Sequence, residues 1–346
     1  MKAAVFKEHG GLENITVVDD LPMPEAGRGE VRLKMHSAAL NRLDLWVREG
    51  WKGLNLTMPH VICADGAGEV DALGEGVSGL EIGDRVSIDP SIIDPNAPFD
   101  PRLDYENQSR HLHILGEQVP GVAAEYAVLP ARNLVKLPDH VSYEDAAAVG
   151  LVYVTAWHSL ITRGGLRPGE SVLIVGAGGG VNSASIQIAK LAGAKVYVVG
   201  STSEKCEGAK QLGADVTINR EEDPAWSKAV YKLTEKQGVD VVVDNVGKAT
   251  LADSIRCTRV GGRILIVGNT SGYDAEIDIR QIFSRQISII GSTMGTHADY
   301  VKVMNLIFSG QLKAVVDSVM PLKDAQEAQR KLENFDTFGK IVLKIT

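Results

Sequence analysis

Hydrophobic and polar positions follow two different rhythms along this chain. Up to about residue 150, apolar and polar residues alternate in short runs at Lys2–Phe6, Glu30–Ala38, Gly68–Leu73, Arg85–Ile88 and Ala124–Val128, with Gly and Pro between them. A period of two with frequent turn residues predicts half-buried strands in a mainly antiparallel β domain. Gly83-Asp84 marks one such turn inside Gly76–Val86. Beyond residue 150, near-continuous apolar runs at Ser171–Val175, Lys195–Val199, Val216–Ile218, Val239–Val243, Arg263–Val267 and Ile287–Ile290 alternate with helix-period segments at Val181–Ala192, Glu204–Leu212, Ala225–Glu235 and Thr250–Cys257. This is the pattern of a parallel sheet covered on both faces, an α/β arrangement. The tail adds helices at His297–Phe308 and Lys323–Glu333 and a strand at Lys340–Lys344, which is expected to return to the first domain. Residues 89–120 hold five prolines and no period, and a loop of that length is expected to be functional or mobile.

The most specific chemistry lies where the first run of the second half ends. A buried strand enters Gly176-Ala177-Gly178-Gly179-Gly180 and a helix follows at once. Backbone N–H groups at such a turn, with the positive end of the helix, bind a pyrophosphate, and a Cβ there would meet the ligand. The strand–turn–helix context separates this turn from an ordinary tight βα connection. Gly178, Gly179, Gly180 and Val181 are the expected contacts.

The next strand ends Val199-Gly200-Ser201-Thr202-Ser203-Glu204-Lys205, with no carboxylate at the tip, where NAD sites hold the ribose diol. Ser201, Ser203 and Lys205, with Arg220 after the third strand, offer donors and positive charge to a 2′-phosphate. That set favours NADPH over NADH, although Glu204 turned inward would favour NADH. Ser203 also reads as the cap of the helix that follows.

Composition narrows the classes of function. A length of 346 residues fits two domains at ~150 residues each. Net charge is −8 with no block of Lys or Arg, which argues against a nucleic-acid partner. Three well-separated cysteines, Cys63, Cys206 and Cys257, make neither a disulfide framework nor a four-cysteine zinc site and fit a reducing cytoplasm. The start MKAAVFKEHG is too polar for a signal peptide, and no apolar run approaches the ~18–20 residues of a membrane span.

Eight stretches in order resemble one family. They are NRLDLWVREG (Asn41–Gly50), ADGAGEV (Ala64–Val70), GVSGLEIGDRV (Gly76–Val86), TAW (Thr155–Trp157), the glycine turn, DNVG (Asp244–Gly247), GGRILIVG (Gly261–Gly268) and FGKIVL (Phe338–Leu343). Together they resemble the medium-chain dehydrogenase/reductase superfamily, which includes zinc alcohol dehydrogenases and zinc-free quinone reductases. The resemblance implies a GroES-like β-rich catalytic domain at 1–150 and 296–346, a Rossmann domain at 151–295, and hydride transfer in the cleft between. It also implies a homodimer or homotetramer paired through the Rossmann sheet edge, with Ile287–Ile290 as the apolar edge.

Departures from the zinc-dependent pattern shape the functional expectation. The positions of the catalytic zinc ligands are held here by Asn41, Ala64 and Leu151, and no cysteine stands in the lobe at 89–116. Asp94, Asp100, Asp104, His111 and His113 of that lobe read as solvated polar residues, with a hard-ion site as the alternative. No metal is therefore expected. The zinc-free members that this chain resembles reduce quinones, enones or enoyl thioesters, and the acceptor oxygen then needs hydrogen-bond donors. By the resemblance, Asn41 donates its amide to that oxygen and Asp44 orients by accepting hydrogen bonds. Trp46 stands where many quinone reductases carry Tyr and forms an apolar wall. Thr155, Asn245, Val246, Gly268 and Asn269 contact the cofactor, and Lys340 lies near its pyrophosphate. Asn182 replaces a fingerprint glycine and is expected to cap the helix.

The reading is a zinc-independent NAD(P)H-dependent oxidoreductase acting on a small quinone, enone or enoyl thioester. The alternatives are an alcohol dehydrogenase and a non-catalytic NADPH-binding protein of the same fold.

Overall fold

The computed structural model describes residues 1–94, 97–98 and 100–345. The chain falls into two compact units, Met1–Leu151 with the segment from Thr296 onward, and Val152–Gly295.

In the first unit the strands are β1 (Ala3–Phe6), β2 (Ile15–Val18), β3 (Glu30–Ala39), β4 (His60–Val61), β5 (Asp65–Leu73), β6 (Arg85–Ile88), β7 (Ser91–Ile93), β8 (Leu112–Ile114), β9 (Tyr126–Pro130) and β10 (Leu134–Lys136). Helix α1 (Arg42–Glu49) follows β3, and α2 (Tyr143–Trp157) leads into the second unit. Pairing is antiparallel as the alternation predicts, and β3 is the hub. Its first half pairs with β9, from Glu30 opposite Pro130, while its far end pairs with the chain's last strand. Val31, Leu33, Met35, Ala38 and Ala39 on β3 are fully buried, because both faces and both edges of that strand are covered.

The second unit contains β11 (Ser171–Val175), α3 (Gly180–Leu191), β12 (Lys195–Gly200), α4 (Ser203–Gln211), β13 (Val216–Asn219), α5 (Trp226–Leu233), β14 (Val239–Asp244), α6 (Leu251–Cys257), β15 (Thr258–Ile266), α7 (Ile279–Ser284) and β16 (Ser288–Gly291). The strands form one parallel sheet in the order β13-β12-β11-β14-β15-β16. This is the doubly wound Rossmann order, with its switch point between β11 and β14. Val172, Val241, Val242 and Val243 are fully buried, as the near-continuous apolar runs require when helices cover both faces. Tyr197, Trp226, Val230 and Ile255 complete the packing on one side.

The chain then returns to the first unit as α8 (His297–Phe308), β17 (Val316–Pro321), α9 (Ala325–Glu333) and β18 (Lys340–Lys344). Strand β18 pairs antiparallel with β3 and parallel with β17, so the tail strand does rejoin the first sheet. The stretch read as a loop from 89 to 120 contains the β7–β8 hairpin and a short 3₁₀ turn at Glu106–Gln108. Pro95, Asn96 and Phe99 of it lie outside the described residues. Among the described residues no helix is long and apolar enough to cross a membrane.

Candidate active site

Sheet register builds the polar centre of the first unit. Ala39 on β3 pairs with Asp65 on β5 and, on its other edge, with Val342 on β18. Two residues further along an antiparallel pairing, Asn41 stands across from Lys340. The side chains meet as this geometry demands. Asn41 Nδ2 donates to Asp65 Oδ2 at 2.9 Å, and Lys340 Nζ donates to Asp65 Oδ2 at 2.9 Å and to Asn41 Oδ1 at 2.5 Å. The other oxygen of Asp65 accepts the Leu151 N–H at 2.6 Å. Asn41, Asp65 and Lys340 are all buried. Gly150 must be glycine beside this cluster, since a Cβ would lie 2.4 Å from Asp65 Oδ1.

Lys340 thus gives two of its three N–H groups to Asn41 and Asp65, a placement that its expected position near a pyrophosphate did not include. Asp65 was not among the expected site residues. Its signal is the β3–β5 pairing, which alternation alone does not register.

Asn41 also starts α1 through a capping box with Asp44. Asp44 Oδ2 accepts the Asn41 N–H at 2.7 Å, and its Oδ1 accepts the Cys63 N–H at 2.7 Å. Asp44 thus accepts hydrogen bonds from two backbone groups. Burial pushes its carboxyl up to about 6 against the pull of those two N–H donors. Cys63, at φ 75°, is buried, and burial with the Asp44 charge raises its thiol further. Trp46 lies half-buried on α1.

In the second unit, strand register aligns the carboxyl ends. Val175 on β11 pairs with Val199 on β12 and with Asp244 on β14, and Asp244 pairs with Ile266 on β15. The turns that follow therefore share one sheet edge, and they contain Gly178–Gly180, Ser201, Asn245, Val246, Gly268 and Asn269. The N-cap of α3 is Gly179, with no side chain to satisfy the first-turn amides of Gly180 and Val181. A bound anion would satisfy them. Thr155 Oγ1 on α2 is buried and has no hydrogen-bond partner among the described residues, which also fits a ligand group. Asp244 is fully buried, and its Oδ1 accepts the N–H groups of Val246 and Gly247 at 2.9 and 3.0 Å, holding the loop after β14 in place.

Two expected caps resolve differently. Thr202, not Ser203, caps α4, accepting the Lys205 N–H at 3.2 Å. One residue earlier in the chain, its side chain reaches back over the first turn. Asn182 does not cap α3. It lies inside the helix and donates to Val175 O and Gly176 O. Ser203 instead donates to Glu222 Oε1 at 2.6 Å and accepts from Asn219 Nδ2 at 3.0 Å. A carboxylate from the turn after β13 thus reaches the first residue of α4, just past β12, which residue order along β12 does not reveal. Arg220 is exposed beside it.

Comparison with known proteins defines the class. The alcohol dehydrogenase GroES-like domain matches residues 27–139, and the zinc-binding dehydrogenase family matches residues 180–309. A zinc-type alcohol dehydrogenase-like protein of Schizosaccharomyces pombe is 35% identical over 353 residues, covering 100% of this chain and 99% of its own. Human quinone oxidoreductase is 27% identical over 350 residues, covering 99% and 97%. Among solved structures, an NAD-dependent alcohol dehydrogenase superposes with a TM-score of 0.94 at 43% identity over 100% of both chains. A cobalt- and zinc-bound thermostable alcohol dehydrogenase from Pyrobaculum aerophilum gives 0.88 at 31% identity, covering 100% and 99%. The chain belongs to the medium-chain dehydrogenase/reductase superfamily of oxidoreductases. Among the described residues, no group of three or more His, Cys, Asp or Glu is placed to hold a metal ion.

The raised carboxyl of Asp44 yields a stability prediction. Between about pH 4 and pH 6 the unfolded chain ionises this group while the folded chain keeps its proton, so stability falls as pH rises through that window. A shift of about two units corresponds to about 3 kcal/mol, complete above pH 6. Urea midpoints measured from pH 4 to 7 should show this slope in the wild type and lose it in Asp44→Asn. Identical slopes would show that Asp44 is already ionised at pH 4.

Proposed function

We propose that this chain is a zinc-independent reductase that adds hydride from a nicotinamide dinucleotide to a quinone or a conjugated carbonyl such as an enone or enoyl thioester. The observation that carries this reading is the buried ammonium of Lys340 held by Asn41 and Asp65. Zinc takes thiolate, imidazole or carboxylate ligands. The residues at the ligand positions offer an amide already engaged on both its atoms, the methyl of Ala64 and the isobutyl group of Leu151. A divalent ion beside that ammonium would also meet strong repulsion in a buried setting. The donor set does not fit zinc.

It does fit the stabilisation of an oxygen that gains negative charge. Asn41 gives one of its two amide N–H groups to Asp65, and Lys340 gives two of its three to Asn41 and Asp65. One N–H of each remains for an acceptor oxygen as it becomes enolate-like. Asp65 fixes both donors, and Asp44 fixes the backbone that carries Asn41. Trp46 contributes apolar surface and no proton. A nicotinamide dinucleotide, when bound, supplies the hydride. The first-turn amides of α3 would hold its pyrophosphate, and Thr155, Asn245, Val246, Gly268 and Asn269 would line the rest. Alcohol–aldehyde interconversion is the second reading, favoured by the alcohol dehydrogenase names of several relatives.

Purified protein should oxidise reduced cofactor with quinones or α,β-unsaturated carbonyls while holding no stoichiometric zinc. Stoichiometric zinc with activity lost to a chelator would replace this reading with the alcohol dehydrogenase one. Cofactor bound without turnover of any acceptor would leave a binding protein.

Lys205 and Arg220 favour NADPH. The carboxylate of Glu222, 2.6 Å from Ser203 Oγ, favours an unesterified ribose diol and hence NADH, as does the NAD-dependent relative. Lys205→Ala with Arg220→Ala should weaken NADPH ten- to a hundredfold more than NADH, at ~1.5–3 kcal/mol per charged phosphate contact. Glu222→Gln should shift preference towards NADPH by removing the repulsion. Equal loss of both cofactors in the first variant, with no shift in the second, would show that none of the three reads the 2′ position.

The protein is also proposed to pair through β16, an edge strand bearing the exposed Ile289, with Val260 on β15 and Phe283 on α7 also exposed. Sedimentation should find a dimer or tetramer that Ile289→Asp converts to monomer. A monomeric wild type would remove this part of the proposal.

A further inference from the structure

The glycine turn after β11 is not hollow. Asn182, in the first turn of α3, is buried and points its amide back into the turn. Both of its N–H groups are used, donating to Val175 O at 2.9 Å and to Gly176 O at 2.6 Å. Its Oδ1 accepts from Asn245 Nδ2 at 2.6 Å. A Cβ on Gly176 would lie 2.6 Å from Asn182 Nδ2, and one on Gly179 would lie 3.0 Å from Asn182 Oδ1. Gly176 also has φ +103°, outside the range of other residues. These two glycines leave room for an amide as well as for a ligand.

The chain of contacts runs on from Asn245. Its carbonyl accepts the Thr270 N–H at 3.2 Å, and a Cβ on Gly268 would lie 3.1 Å from that oxygen. Asn182 therefore links the turn after β11 to the loop after β14, and through Asn245 to the loop after β15. All three are loops where ligands bind in such sheets. An apolar residue at 182 would leave the carbonyls of Val175 and Gly176 without their side-chain donor and free the turn to relax. An aspartate would set a carboxylate against both of them.

We propose that Asn182 is a positioning residue. It locks the glycine turn in its phosphate-binding shape and, through Asn245, couples that turn to the loops that would meet the other half of the dinucleotide. This inference rests on the reading of the second unit as a nicotinamide-dinucleotide site. It assigns to Asn182 a part that neither the fingerprint nor a helix cap describes. Asn182 itself touches no ligand; it acts through the backbone of Gly176 and the side chain of Asn245.

The test compares two ligands by calorimetry on the full-length chain, ADP-ribose, which contains the pyrophosphate, and AMP, which lacks it. Asn182→Ala should weaken ADP-ribose about tenfold or more, as expected when the turn loses three hydrogen bonds, and leave AMP within about twofold. Asn182→Asp should be worse than Asn182→Ala. Asn245→Ala should weaken ADP-ribose, and the Asn182→Ala/Asn245→Ala double variant should be less than additive. The turnover number at saturating cofactor should change much less than the cofactor KM.

Unchanged ADP-ribose affinity in Asn182→Ala would overturn the proposal. So would equal loss of AMP and ADP-ribose with a lowered Tm, which marks a general structural role. If Asn182→Ala fails to fold, Asn182→Ser, which keeps a shorter donor, decides by the same AMP–ADP-ribose contrast. A wild type that binds neither ADP-ribose nor AMP overturns the dinucleotide reading, and this inference with it.

Discussion

The carboxylate of Asp65 is the interaction on which the polar centre of the first unit depends. One oxygen takes the amide of Asn41 and the ammonium of Lys340, and the other takes the Leu151 N–H. Three segments separated by up to 299 residues are thereby joined at one buried anion. Burying a charge is tolerable only when it is fully hydrogen-bonded and paired, and Asp65 is both. Without it, Lys340 would be an uncompensated buried cation and Asn41 would be free to turn.

The second unit uses the same device in a different place. Asp244 ends β14 as a buried carboxylate, and it also accepts from Thr250 Oγ1 at 2.9 Å and from Ser254 Oγ at 2.7 Å. It shapes a backbone loop, where Asp65 shapes a set of side chains. Asn182 completes that edge from the neighbouring turn. The two units thus reach preorganised polar surfaces by placing a buried carboxylate at a strand end, where the sheet register fixes its position.

Much of the fold was legible because the apolar period records burial directly. Ser171–Val175, Arg85–Ile88, His297–Phe308 and Lys340–Lys344 have the boundaries that their patterns predict. Helix α1 was not read as a helix, since its eight residues carry no long apolar stripe and its start depends on the Asn41–Asp44 capping box. The site was legible only in part. The glycine turn and the loops after β14 and β15 follow from strand–turn–helix order, while Thr155 comes only from the family resemblance. Asp65, Glu222 and the actual partners of Lys340 and Asn182 do not, because each contact crosses between strands or turns far apart in sequence.

The sequence by itself determined the class of this protein. Local periodicity, a turn that only glycine can make and a set of ordered motifs place it among the medium-chain dehydrogenases/reductases, with amide, methyl and isobutyl groups at the zinc-ligand positions. Tertiary structure alone decided what those positions contact. Antiparallel register sets Asn41 against Asp65 and Lys340, and parallel register sets Asn182 against Asn245. Register is a property of pairs of strands, and hydrogen bonds act over about 3 Å. A single line of residues therefore cannot show which polar groups will share a charge.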